Sequence, residues 1–198
     1  MTYTHPQPLE RGHDRERFAC GEPELDRWLA DHALGAQASG SARVFVSTDG
    51  QRVVGYYALA AAQLRPEEAS ERALRGQPPR RPAPAVLLAR LAVDLDHQGR
   101  GLGRSLLQDA MLRANEAADE LGIRVMLVHA KHERASRWYM RFGFEESPTD
   151  PLQLMLLMKD LRAFLSVALT REWEPRLARQ LASGNAWWRE SRGWEKGC

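Results

Sequence analysis

The run Gln98-Gly99-Arg100-Gly101-Leu102-Gly103 constrains this chain more than any other stretch. An apolar, strand-like segment, Val86 to Val93, leads into it. A helix-like segment follows, with apolar positions at Leu102, Leu106, Ala110, Ala114, Ala117 and Leu121. A glycine-bearing turn between a strand and a helix N-terminus leaves backbone N–H groups unpaired. The helix dipole adds partial positive charge there, and missing Cβ atoms let a diphosphate approach closely. A C-cap or a plain tight turn uses glycine equally well, so the rest of the chain must decide.

The spacing of Leu25, Trp28, Leu29 and Ala33 predicts a helix from Pro23 to about Ala33. Arg43–Ser47 and Arg52–Ala62 read as two strands of a hairpin around Thr48-Asp49-Gly50-Gln51, with Asp-Gly at its centre. Residues 66–74 suit a short helix. The proline-rich stretch Gln77–Pro84 is incompatible with a regular element. Gly122 ends the long helix, Ile123–Ala130 is a buried strand, Glu133–Arg141 a short helix ending at Gly143, and Leu152–Met158 a last strand. This order predicts an α/β (α+β) domain whose mixed central sheet is flanked by helices.

A chain of 198 residues forms one such domain with room for an appendage. Residues 163–198 differ in kind, with Trp173, Trp187, Trp188 and Trp194 mixed among arginines and glutamates. They are read as a C-terminal extension of unknown role. No membrane-spanning run or signal peptide is evident, and two cysteines make no disulfide framework, so a cytoplasmic setting is expected. Net charge is only +2, yet Arg72, Arg75, Arg80 and Arg81 form a local basic stripe with no acid among them. Such a stripe is either a solvated loop or a contact for an RNA backbone.

Two motifs together resemble the GCN5-related N-acetyltransferases (GNAT). Gln98, Gly101 and Gly103 match that family's pyrophosphate loop. Ala135, Trp138-Tyr139 and Phe142-Gly143-Phe144 match a second element. A narrower similarity covers about residues 8–162. It is carried by Phe18–Gly21, Leu25–Leu29, Ala42–Val46, Val54–Leu59, Ala89–Asp94 and Asp150–Leu152 leading into Leu154–Leu156, and it points to the TacT-type toxins of toxin–antitoxin systems. The resemblance implies a mostly antiparallel GNAT sheet and acetyl-CoA as cosubstrate, with no metal. It also implies that Leu91, Ala92 and Val93 hold pantetheine through the main chain. Gln98, Gly99, Arg100, Gly101, Leu102, Gly103 and Arg104 would hold the pyrophosphate, and Ser136 joins the coenzyme-contacting set. It further implies aminoacyl-tRNA as acceptor, a ribbon-helix-helix (DUF1778-type) antitoxin as partner, and a homodimer.

Acetyl transfer needs an unprotonated amine and a proton for the departing thiolate. Tyr139 stands where the resemblance places the general acid, and a phenol with pKa near ~10 carries that proton at neutral pH. The strand 86–93 contains no carboxylate to serve as base; Asp94 and Asp96 come only at its end. A lysine amine near ~10.4 needs such a base more than an α-amine near ~8 does, which favours an α-amine acceptor. Water or Glu133 remain alternative bases. Arg43, Arg75, Arg80, Arg81 and Arg90 are candidates for phosphates of the RNA. His129 and His132 flank the end of the buried strand, His132 at a position where many GNAT relatives have asparagine. Two alternatives stay open: a protein or small-molecule amine as acceptor, and a non-catalytic coenzyme-binding module.

Overall fold

The computed structural model describes residues 3–78 and 80–168. The chain divides into a compact unit, Met1–Leu161, and the segment Arg162–Cys198. The tryptophan-rich extension lies outside the described residues from 169 onward.

Seven strands form one sheet: β1 (Gln7–Pro8), β2 (Arg43–Asp49), β3 (Arg52–Leu64), β4 (Ala83–Val93), β5 (Val125–His129), β6 (Glu145–Glu146) and β7 (Gln153–Leu157). Their spatial order is β1-β2-β3-β4-β5-β7-β6. Every adjacent pair is antiparallel except β4 and β5, which run parallel. The helices are α1 (Pro23–Arg27), α2 (Ala33–Ser39), α3 (Glu71–Leu74), α4 (Leu102–Leu121), α5 (Glu133–Met140) and α6 (Met158–Ala168). The expected α+β architecture is therefore present.

Several local expectations change. The helix begun at Pro23 continues to Ser39, because a π-helical turn at Trp28–His32 joins α1 to α2. The hairpin loop is the pair Gly50-Gln51, since Asp49 already pairs with Arg52. The segment 66–74 splits into a 3-10 turn at Pro66–Glu68 and α3. Strand β4 starts at Ala83 and so includes Pro84, inside the stretch expected to be irregular. Pro84 lies beyond the paired stretch of β5, and its carbonyl accepts from the Arg124 N–H at 2.9 Å. The two-residue strands β1 and β6 are too short to leave a period in sequence.

Successive residues of β3 face opposite layers. Tyr56 packs with Phe18, Leu29, Val44 and Val46 under α1 and α2. Tyr57 points to the other layer, where its hydroxyl donates to Asp109 of α4 and Arg113 Nε donates to the same carboxylate at 2.9 Å. Arg113 also lies over the Phe45 ring at 4.0 Å. Along α4 the core-facing row is Leu102, Leu106, Ala110, Ala114 and Ala118. Ala118 takes the last core place rather than Ala117, and Leu121 is 72% exposed.

Helix α4 lies close against the sheet at Gly55. A Cβ there would lie 2.8 Å from Leu106 Cδ1 and 3.2 Å from Leu102 Cδ2, and both leucines are buried. Gly55→Val should therefore destabilise the protein by about 1–3 kcal/mol through overpacking, read as a lower urea midpoint at unchanged m-value.

Candidate active site

The parallel pairing of β4 with β5 runs from Ala85↔Val125 to Leu88↔Val128 and stops. At that point β4 carries a bulge: Leu88 faces Leu59 and Arg90 faces Ala58, leaving Ala89 as the extra residue. A bulge bends its strand and increases its twist. From residue 89 onward β4 pairs only with β3, and its other edge opens on a cleft of about 860 Å3. Leu91, Ala92 and Val93 line one wall. Val128, His132, Trp138 and Tyr139 line the other.

The glycine turn closes one end. Gly99 (φ 72°) and Gly101 (φ 85°) are both left-handed, a conformation costly for any residue with a Cβ. Gly101 is the N-cap of α4 and offers no side-chain cap, so the helix's first N–H groups are open to a ligand. Gly99, Gly101, Gly103 and Arg104 line the cleft. Open donors at a helix N-terminus beside a guanidinium fit a diphosphate. Gln98 lines the cleft too, and its side chain also holds the turn. Its amide nitrogen donates to the Cys20 and Val93 carbonyls, each at 3.0 Å, and ties the turn to the N-terminal arm and the end of β4. Arg100 is exposed and Leu102 is buried in the core; neither lines the cleft.

On the opposite wall, Tyr139 is 7% exposed and held edge-on between Trp138 and Phe144. Burial pushes its phenol pKa above the ordinary value. His132 is the N-cap of α5: its Nδ1 accepts from the Ala135 N–H at 3.1 Å. Ser136 is placed differently from the expectation. It is buried away from the cleft lining, donating to the Pro151 carbonyl at 3.5 Å, and so fastens α5 to the loop before β7.

The β4 wall carries no carboxylate. Asp94, just past it, is 1% exposed and fully engaged, accepting from the Ala19 N–H (3.2 Å), the Asp96 N–H (3.1 Å) and Arg52 (3.0 Å). Glu133 faces Arg137 at 3.9 Å and does not line the cleft. The carboxylates at the mouth, Glu22 and Glu24, both hold Lys131 at 2.9 Å. Cys20 lines the cleft as a thiol, because burial pushes it up to about 12. Among the described residues no group of three or more His, Cys, Asp or Glu side chains is arranged to hold a metal ion.

A splayed parallel pair, an uncapped helix N-terminus at its end and a buried tyrosine across from it form one arrangement. The acetyltransferase (GNAT) domain profile matches residues 40–146, which span all three. The chain belongs to the GNAT acetyltransferase family. It is 48% identical to a tRNA-acetylating toxin of Mycobacterium tuberculosis, over 82% of this chain and 97% of that protein. Among solved structures it superposes on AtaT complexed with acetyl-methionyl-tRNAfMet, with TM-score 0.75 and 26% identity, covering 83% of this chain and 99% of that one. It likewise matches a tyrosine-to-phenylalanine mutant of AtaT bound to the C-terminus of the antitoxin AtaR and acetyl-CoA. That match has TM-score 0.71 and 25% identity over 84% and 99% of the two chains.

In this GNAT cleft only one of the five RNA-facing candidates lines the wall. Arg90 follows the bulge, and its guanidinium stacks over Trp28 at 4.1 Å, so an aromatic face rather than an acid orients it. Arg43 is exposed at the start of β2. Arg75, Arg80 and Arg81 are exposed before β4, with the Arg75 carbonyl held by Arg124 at the start of β5. They thus lie toward the opposite end of the parallel pair, since eight residues of extended chain from Arg81 to Ala89 span about 26 Å. Arg72 drops out of the basic stripe, bound to Glu145 at 3.0 Å and Asp160 at 2.6 Å. Sequence reading missed the Arg90–Trp28 stack, the Lys131 bridge and the Asp94 fastening, none of which has a local signature.

Burial disfavours the phenolate, so Tyr139 keeps its proton where an exposed tyrosine begins to lose it. Tyrosinate absorbance gained between about pH 8 and pH 10.5 is expected to be the same in wild type and Tyr139→Phe. Denatured samples should differ by one tyrosine.

Proposed function

We infer that this chain transfers acetyl from acetyl-CoA to the α-amine of an amino acid esterified to tRNA, and so blocks translation. The observation that carries the acceptor assignment is a cleft with a protonated tyrosine on one wall and no carboxylate on the β4 wall. An amine of pKa ~8 is about a quarter neutral near pH 7.5, whereas one of pKa ~10.4 is about a thousandth neutral. The α-amine of an amino acid esterified to tRNA is easier still to deprotonate, lacking a neighbouring carboxylate charge. The named activity of the mycobacterial relative and the acetylated tRNA bound to AtaT support the same acceptor.

When bound, acetyl-CoA supplies an acetyl group activated as a thioester. The residues that would hold it are the open main chain of Leu91, Ala92 and Val93 for pantetheine, and Gly99, Gly101, Gly103 and Arg104 for the diphosphate. Gln98 keeps that turn in place. Tyr139 Oη holds a proton inside the cleft, available to the sulfur as it departs. Arg90 faces the incoming acceptor terminus, and its stacked guanidinium suits a phosphate. Arg43, Arg75, Arg80 and Arg81 would meet RNA only at a distance from the reacting amine.

The same reading includes a ribbon-helix-helix antitoxin that covers the cleft, a homodimer, and action in the cytoplasm, where charged tRNA and acetyl-CoA meet. Support comes from AtaT with its antitoxin and from a KacT–KacA complex on DNA. Among the described residues no helix is long and apolar enough to cross a membrane.

Incubation with labelled acetyl-CoA and a charged tRNA pool should place the label on aminoacyl-tRNA. Label found only in protein or a polyamine would overturn the acceptor assignment. Tyr139→Phe should lower kcat by about 10²–10⁴-fold while acetyl-CoA still binds in calorimetry. Arg90→Gln should weaken binding of charged tRNA and reduce the slope of log K against log salt by about 0.7–0.9, measured by filter binding.

A further inference from the structure

We propose that Arg134 and Arg141, at the two ends of α5, form a subsite for the ribose 3′-phosphate of acetyl-CoA. The proposal rests on acetyl-CoA as the acetyl donor and is independent of which amine accepts the acetyl group.

The helical repeat sets the geometry. Arg134, Trp138 and Arg141 are spaced by four and three residues and fall on one stripe of α5, with Ala135 and Tyr139 on the next. Both stripes line the cleft. Arg137 does not line it and faces Glu133 at 3.9 Å. The arginine stripe is the one beside the glycine turn, since a Cβ on Gly103 would lie 3.8 Å from Trp138 Cζ2. Arg134 and Arg141 each stand about one helical turn (~5.4 Å) along the axis from that contact. Arg104, the neighbour of Gly103, lines the same cleft.

The helix itself does not call for these charges. Arg134 sits in the first turn of α5, where the positive end of the helix dipole disfavours a cation. Among the described residues, the side chains of Arg104, Arg134 and Arg141 have no ion pair or hydrogen bond. The acids lining the cleft, Glu22 and Glu24, are already taken by Lys131 at 2.9 Å. Unpaired guanidiniums therefore gather around the contact between Gly103 and Trp138.

The open N–H groups of α4 together with Arg104 suit a diphosphate, which carries a single negative charge on each phosphate. A phosphomonoester brings about −2 at neutral pH and three acceptor oxygens. Two further guanidiniums match that charge and geometry. In acetyl-CoA the monoester is on the ribose whose 5′ oxygen bears the diphosphate, one sugar away from the turn. A phosphate of tRNA is instead a singly charged diester, and Arg90, the arginine suited to it, stands on β4 across the cleft from α5.

The test compares acetyl-CoA with acetyl-3′-dephospho-CoA. Dissociation constants of the full chain are to be measured by calorimetry for wild type, Arg134→Gln, Arg141→Gln, the double variant and Arg104→Gln. All three arginines are unpaired, so these changes break no protein contact of their guanidiniums. Wild type should prefer acetyl-CoA by about ten- to a hundredfold, the size of charge-assisted hydrogen bonds. Each α5 variant should lose part of that preference, and the double variant should bind the two coenzymes about equally. Arg104→Gln should weaken both coenzymes alike and keep the preference. Wild type without a preference overturns the proposal, as does a double variant that retains it. A preference removed as fully by Arg104→Gln as by the double variant also overturns it, because the general field of the cleft would then suffice. Filter binding of charged tRNA supplies the remaining arm: tRNA binding lost in the double variant with coenzyme preference intact assigns the pair to RNA and overturns the subsite. No binding of either coenzyme would remove the donor and the subsite together, whereas label found on another amine would touch the acceptor assignment alone.

Discussion

The site depends on one event in the sheet, the parting of β4 from β5. Four residue pairs hold the parallel strands together, and the extra residue at Ala89 then turns β4 away. Backbone N–H and C=O groups on the freed edge have no strand to satisfy them, so water or a ligand must. The neighbouring features answer to that opening. Helix α4 starts at its end with uncapped donors, α5 lays Tyr139 along the facing wall, and the N-terminal arm closes over the mouth through Glu22 and Glu24.

Much of this was legible in the sequence because it is written locally. The strand–glycine–helix run needed only apolar periodicity and three glycines, and the Gly122 and Gly143 stops are left-handed as their positions suggest. The π-helical turn at Trp28–His32 was not legible, since a helix with one residue inserted keeps nearly the same apolar spacing. Proline in Gln77–Pro84 marked irregular chain correctly at residues 77–78 and 80–82. It failed at Pro84, where the strand has begun before its neighbour β5 is in register. Gln98 and Ser136 show a second limit. Their positions suggested ligand contacts, but nothing local announced that both side chains donate to backbone carbonyls of other segments. Motif spacing fixes where a side chain starts, while its partner depends on chain distant in sequence.

Charge is handled by position rather than amount. Asp94, the first acid after β4 in sequence, is used as a fastener under Arg52 and two backbone N–H groups, which removes it from acid–base work. Arg72 is bound by two acids, whereas Arg90 is oriented by Trp28 and keeps its charge toward the cleft. Counting arginines along the loop 72–81 therefore overstates what that stretch presents near the reacting centre.

The fastenings of the cleft join segments far apart along the chain. Ala19 to Asp94 spans 75 residues, Cys20 to Gln98 spans 78, and Glu24 to Lys131 spans 107. A growing polypeptide that ends at Leu121 already has the glycine turn, yet it has neither the second wall nor the tyrosine. The cleft comes into being only when nearly the complete Met1–Leu161 unit has emerged and closed on itself.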